Sequence, residues 1–415
     1  MGEWKRVKLG EICSRVCSGG TPRSNVAEYY DGGSIPWLNT KEVTFGRIYS
    51  TEKCITESGL ENSSAKWIEA NAVVVAMYGA TAGNVAITRI PLTTNQACCN
   101  LQINLEKADA DFVFYYLKWQ YHELCLLANG AAQQNLNAQV IKDFQIGLPD
   151  LPTQRRIAAV LGALDDKIEV NRKICENLEA QAQALFKAWF VDFEPFGGKR
   201  PEGWKMMPVE ELTERMASGG TPKTKIEAYY DGTTKWFSTK ELKDCFLFDS
   251  EKHISKEAVE NSAAKVFPRD TVLMAIYAAP TVGRLGIMDE EGTFNQAAVG
   301  MVAKKYVGYP FLFLTLLAER EGLNLMAVGS CQQNLNVGVV RSYKVLLPDE
   351  KVLSRFNESI MPMFDEIRTL SKESRALAAM RDALLPKLMS GELAAEKVEG
   401  ADASASHTGQ GAGGI

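Results

Sequence analysis

The stretch SGGTPRSNVAEYYDGG at residues 18–33 returns as SGGTPKTKIEAYYDG at residues 218–232, and this recurrence sets how the whole chain of 415 residues is read. Working outward, Glu-Trp-Lys at 3–5 returns as Gly-Trp-Lys at 203–205, and Thr40-Lys41-Glu42 as Thr239-Lys240-Glu241. Glu61-Asn62-Ser63 matches Glu260-Asn261-Ser262, and Asn95-Gln96-Ala97 matches Asn295-Gln296-Ala297. Gln133-Gln134-Asn135-Leu136-Asn137 returns at 332–336, and Leu148-Pro149 at 347–348. The offset stays at 199 or 200 throughout. Solenoid repeats are about 20–50 residues long, so this period means one domain copied once.

Each copy has two parts. The first, 1–150 and 203–348, mixes short apolar β-like runs with turns rich in Gly, Asn and Thr. Residues 73–78 run into Gly79-Ala80-Thr81-Ala82-Gly83, and 272–277 into a similar turn at 278–283. A helical stretch, 112–127, follows in the first copy. These parts are predicted to be compact α+β domains.

The second part is a long helix, predicted at 151–192 and 349–393. Ile157, Leu161, Leu164, Ile168, Asn171, Cys175, Leu178, Ala182, Leu185 and Trp189 alternate spacings of four and three, the a/d seam of a coiled coil. The second copy gives Phe356, Ile360, Met363, Ile367, Leu370, Ser374, Leu377, Arg381, Leu384 and Leu388 at the same offset. Shared phase and length favour mutual pairing over two helices each packed on its own domain. Residues 190–203 are a short Gly/Pro turn, so the second helix can meet the first only by running back antiparallel. Two similar domains are then held apart on a spacer of about 50 Å, at roughly 1.5 Å per residue, related by an approximate two-fold axis. Pro362 cannot donate to the helix ladder and predicts a kink or a late helix start. Residues 394–415, rich in Ala, Gly and Ser, are predicted to be a disordered tail.

Hydrophobic content of 46% and charged content of 23% are those of a globular protein. The nine cysteines show no CxxC spacing and there are only three histidines, so no metal site is expected. The opening MGEWKRVKLGEI lacks an apolar signal core, and no run approaches the length of a membrane span, so a cytoplasmic, membrane-free protein is expected. The net charge of −5 leaves DNA binding open, because a duplex needs only a locally basic face.

The motifs of common catalytic sites are missing. Gly197-Gly198-Lys199-Arg200 lacks the spacing and hydroxyl of a phosphate loop, and HExxH, GxSxG and the Asp/Asn-Pro-Pro-aromatic tetrapeptide do not occur. Pro348-Asp349-Glu350-Lys351 superficially resembles an acidic–lysine nuclease cluster, but its place before the second helix predicts a turn. No catalytic residue and no cofactor of this chain is predicted.

What is present suits contact with nucleic acid. Thr21-Pro22-Arg23-Ser24-Asn25 and Thr221-Pro222-Lys223-Thr224-Lys225 follow paired glycines and offer amides, hydroxyls and cations to phosphate. Asn39-Thr40-Lys41 and Ser238-Thr239-Lys240 repeat that chemistry, and Tyr78 and Tyr277 precede turns carrying Asn84 and Arg284. Gln133, Gln134, Gln332 and Gln333 hold amides able to pair bidentately with adenine. Turn-building and backbone satisfaction explain each motif equally well; the double occurrence raises the binding reading. Residues shared by both halves, Thr21, Lys41, Thr221 and Lys240, are expected to meet the phosphate backbone. Those that differ are expected to choose bases: Arg23, Ser24, Asn25 and Arg47 against Lys223, Thr224, Lys225 and Cys245-Phe246, and Asn84 against Arg284. If both halves read similar bases, the shared glutamines become readers too.

Taken together, SGGTPRSNVAEYYDGGSIPWLNTKEV, GAAQQNLN, LPDLPTQRRIAAVLGALDDKIEVNRK, ALFKAWFVDFEPF and RDALLPKLMSGEL resemble the specificity subunits of type I restriction–modification enzymes, from Trp4 to about Leu393. The resemblance implies two recognition domains on double-stranded DNA, each reading half of a split asymmetric site. It also implies two methyltransferase subunits that bind AdoMet and methylate adenine, and restriction subunits that use ATP and Mg, so the chemistry belongs to partners. Two rivals stand beside it: a solitary methyltransferase or nuclease, marked by methyl transfer without a partner, and a DNA-mimicking scaffold, for which −5 is too weakly acidic.

Overall fold

The computed structural model describes residues 4–127, 135–277, 280–326 and 334–396. The chain divides into two compact units, residues 1–167 with 377–415, and residues 168–376.

The first unit is built on a five-stranded sheet in the order Cys13–Ser18, Cys98–Ile103, Val73–Ala76, Val85–Thr88, Arg47–Ile48. All neighbours are antiparallel except the last pair. A second sheet orders Lys53–Ile55, Ile35–Leu38, Leu92–Thr94 and Trp67–Ile68 around a parallel central pair. The strand Val73–Ala76 is buried at all four positions, as a sheet covered on both faces requires. Val73 and Val75 face a core with Phe112, Val113 and Leu161, whereas Val74 and Ala76 face Leu38, Ile68 and Leu92 of the second sheet. The helical stretch expected at 112–127 is two helices, Ala110–Trp119 and Tyr121–Leu126. The break at Gln120 turns Tyr121 edge-on to Phe45, with ring centres 5.0 Å apart.

The second unit repeats the plan. Its five-stranded sheet runs Thr213–Ser218, Ala298–Ala303, Val272–Ala275, Leu285–Met288, Cys245–Leu247. Val272 and Met274 face one core and Leu273 and Ala275 the other. Its smaller sheet has three strands, Lys252–Ile254, Thr234–Phe237 and Thr293–Phe294, and a single bridge, Phe267 to Gly292, stands where the first unit has its fourth. The architecture is α+β in both units.

Two helices of 40 residues, Leu151–Phe190 and Glu350–Met389, complete the fold. Asp150 caps the first, accepting from the Thr153 amide at 2.8 Å, and hydrogen bonding from the Thr153 side chain, then from that amide, holds its carboxyl below the usual carboxylate range. Asp349 stands at the same place before the second, so the Pro348-Asp349-Glu350-Lys351 cluster is a helix start. That helix runs unbroken through Pro362, without the late start that the proline allowed. Pro362 and Glu358 are both exposed, so the carbonyl left without its amide partner faces solvent.

Each unit takes in part of both long helices. In the first, Ile157, Ala158 and Leu161 join Leu385, Leu388 and Met389 in one core. In the second, Ala182, Phe186 and Phe190 join Leu353, Phe356, Ile360, Phe364 and Ile367. The seam therefore serves two ends: Leu164, Ile168, Leu178, Leu185, Met363, Leu377 and Leu384 are half-buried, whereas Ile157, Leu161, Phe356, Ile360 and Ile367 sink into the sheet-domain cores. Within the second unit the two helices meet directly, Asn171 donating to Glu373 at 2.7 Å and the Phe190 and Phe356 rings lying 4.8 Å apart. The chain beyond Leu393 still packs, contrary to a tail beginning at 394: Ala395 is buried and Glu396 pairs with Arg156. The rest of the expected tail, 397–415, lies outside the described residues.

Candidate nucleic-acid interface

The Gly-Gly-Thr-Pro loops are threaded through their domains. A Cβ on Gly19 would stand 2.0 Å from the Thr94 carbonyl oxygen, and one on Gly20 would stand 2.2 Å from the Ala65 amide nitrogen. In the second unit the same test gives 2.1 Å from Phe294 O at Gly219 and 2.2 Å from Ala263 C at Gly220. Only glycine fits backbones this close. Trp37 Nε1 donates to the Gly20 carbonyl at 2.9 Å, and Trp236 Nε1 to Gly220 at 2.9 Å. Tyr30 donates its hydroxyl to Pro22 O at 2.7 Å and Tyr230 to Pro222 O at 2.9 Å, each ring edge-on to that tryptophan. Burial pushes both phenols up from their ordinary pKa. Thr21 donates to the Gln96 side chain and Thr221 to Gln296. The shared residues of the motif thus build a braced platform from the inside.

What the platform presents is exposed and differs between the copies. Arg23, Ser24 and Asn25 in one unit, and Lys223, Thr224 and Lys225 in the other, are exposed. A turn holds each tip, Val26 N to Arg23 O and Ile226 N to Lys223 O, both at 3.1 Å.

The other expected contacts divide. Asn39 and Ser238 each form a capping box with Glu42 and Glu241, leaving Lys41 and Lys240 exposed on short 3-10 turns. Lys41 pairs with Glu52. Tyr78 and Tyr277 are exposed at strand ends, Arg284 is half-buried, and Asn84 spends its amide on the Val43 carbonyl at 2.9 Å. Gln133, Gln134, Gln332 and Gln333 lie outside the described residues.

Arg47, expected among the residues that choose bases, is engaged within its own unit instead. Its side chain is only 10% exposed and its guanidinium pairs with Asp166 and reaches the Gly162 carbonyl on the first long helix. It holds the domain to that helix. Phe246, its counterpart, is buried against Tyr309 and Phe364.

One pair of cations escaped the sequence reading. Gly20 rests on Ser64-Ala65 and Gly220 on Ala263-Ala264. The next residue in each case, Lys66 and Lys265, is exposed beside the loop. The signal was the shared Glu-Asn-Ser-x-Ala-Lys at 61–66 and 260–265. Among the described residues no cluster of three or more His, Cys, Asp or Glu side chains is arranged to hold a metal ion, and no helix is long and apolar enough to cross a membrane.

The model of the type I restriction modification DNA specificity domain matches residues 1–180 and 201–367. The chain is similar to the type I restriction enzyme MjaIX specificity subunit of Methanocaldococcus jannaschii, 28% identical over 95% of each protein. It is 20% identical to the HindI specificity subunit of Haemophilus influenzae, over 95% of this chain and 100% of that one. Among solved structures, the S subunit of a type I restriction–modification system from M. genitalium has a TM-score of 0.61 at 17% identity, covering 93% of this chain and 96% of its own.

Proposed function

The chain belongs to the type I restriction modification DNA specificity family, and from that premise we propose that each half reads one part of a bipartite DNA site. Members of the family recognise DNA sequence and leave catalysis to partner subunits, and this chain does the same. The observation that carries the bipartite reading is the platform built twice from identical residues, with different exposed tips, Arg23-Ser24-Asn25 and Lys223-Thr224-Lys225. Base edges are read by side chains that vary, while phosphate contacts carry no sequence information. Lys66, Lys265, Lys41 and Lys240 supply the phosphate contacts in this scheme. Thr21 and Thr221 support the loop through Gln96 and Gln296.

The two long helices set the gap between the half-sites and dock two methyltransferase subunits, which bring AdoMet; restriction subunits bring ATP and Mg. Supporting this part of the reading are the two 40-residue helices and the sequence motifs that resemble those of specificity subunits; the related proteins are themselves named specificity subunits of type I restriction enzymes. Co-expressing the chain with its modification subunit and sequencing the methylome tests the reading. The expected result is adenine methylation in a split motif with two different half-sites. A single undivided motif, or methyl transfer by this chain alone, overturns it.

A further inference from the structure

In the second unit a cavity of about 250 Å³ lies between the sheet domain and the long helices. Its walls include Glu179, Ala182, Phe246, Phe313, Leu317 and Phe364. The positions 199 residues away fill the same place in the first unit. There Ala182, Leu317 and Phe364 correspond to Arg381, Lys118 and Asp165. The matching is structural as well as numerical, since the loop residues Phe45 and Asp244 share a left-handed backbone with φ of 60. Arg381 donates to one oxygen of Asp165 at 2.6 Å, and Tyr115 donates to the other at 2.5 Å. The second unit has lost that guanidinium to Ala182 and the phenol to Leu314, and the space has stayed.

It has also acquired an acid. Glu179 replaces Ala378 of the other half. Burial, then the neighbouring Glu176 and Asp244, push its carboxyl up. Among the described residues Glu179 has no ion-pair partner, and the adjacent Asp244 is already taken by Arg320. Phe246, in the wall, already carries the Arg368 guanidinium over its ring at 4.6 Å, so the ring electronics suit a cation.

We propose that this cavity is a binding site for a small organic cation, an amidinium or guanidinium on a flat apolar body, with Glu179 as its counter-ion and Phe246, Phe313 and Phe364 enclosing the body. The other half holds the same chemical group in the same place, supplied by its own chain. This site is independent of the DNA-reading surface and of the function proposed for it.

The test is titration of the full chain with benzamidine and its neutral relative benzamide, read by calorimetry and by thermal unfolding. Benzamidine is expected to raise the unfolding temperature and to bind about tenfold more tightly than benzamide, a difference of about 1.4 kcal/mol. Glu179→Gln is expected to erase that preference while the protein stays folded. Ala182→Arg, which restores the plug of the other half, is expected to abolish binding of both compounds. Equal affinity for the two compounds in the unaltered protein, no binding at millimolar benzamidine, or a preference that survives Glu179→Gln overturns the proposal. Should Ala182→Arg not fold, Glu179→Gln decides alone.

Discussion

Arg381 reaches across from the second long helix to Asp165 on the first, at 2.6 Å, with their side chains only 16% and 14% exposed. Tyr115 closes the other side of the same carboxylate. Removing one partner of such a pair strands the other charge out of water. Arg381→Ala is therefore expected to lower stability by about 3–5 kcal/mol. Arg381→Met combined with Asp165→Leu is expected to recover most of that loss, because both charges leave together. Urea unfolding of Arg381→Met, Asp165→Leu and the double variant checks this; a double loss equal to the sum of those singles shows that the residues are not coupled.

The tryptophan locks are expected to act one half at a time. Trp37→Phe removes the donor to Gly20 and Trp236→Phe the donor to Gly220, each leaving a buried carbonyl short of a bond, at about 1–3 kcal/mol. Methylation directed by the complex should lose fidelity at one half-site with Trp37→Phe and at the other with Trp236→Phe. The same half-site failing in both variants contradicts two independent platforms.

Exchanging the exposed tips separates reading from holding. Replacing Arg23-Ser24-Asn25 with Lys-Thr-Lys leaves the glycine platform and the Tyr30 and Trp37 bonds in place. The expected outcome is an altered first half-site, an unchanged second one and an unchanged unfolding temperature. Methylome sequencing reads all of this except the last, and an unchanged motif removes the tips from the list of readers.

Among the cations, Lys66→Ala is expected to weaken binding of the assembled complex more than Lys41→Ala, because Lys41 is already paired with Glu52. The loss should be alike for all sequences and should flatten the dependence of log K on log salt by about 0.9. A change confined to one base position after Lys66→Ala makes it a base reader instead.

The boundary between the units crosses the long helices at Lys167/Ile168 and at Ala376/Leu377, and these are the places to lengthen them. A heptad inserted at both points keeps the seam in phase and adds about 10 Å, at roughly 1.5 Å per residue. The half-sites should stay the same and the gap between them should grow. Methylation at the original spacing shows that the helices are no ruler.

The duplication, the α+β character and the long helices were legible because they are properties of spacing. A register of 199 and a four–three alternation survive whatever the side chains touch. Side-chain partnerships were not legible. Arg47 and Asp166 are 119 positions apart, and nothing in either neighbourhood announces the pair. The hydroxyl of Thr21 looked free for phosphate because Gln96, its acceptor, lies 75 residues on. The paired glycines suggested a loop opened toward a ligand. Their real constraint is inward, against Thr94 and Ala65. Lys66 could have been found by carrying the Glu-Asn-Ser match three residues further.

The first unit finishes its core with Leu385, Leu388, Met389 and Ala395, side chains made only after the whole of the second unit. Domains near the N-terminus usually fold first as the chain emerges. Here the N-terminal sheets must wait, with part of their apolar face uncovered, until more than 200 intervening residues have been translated. The half made first is thus the half completed last, and premature termination near residue 380 injures the beginning of the protein more than its middle.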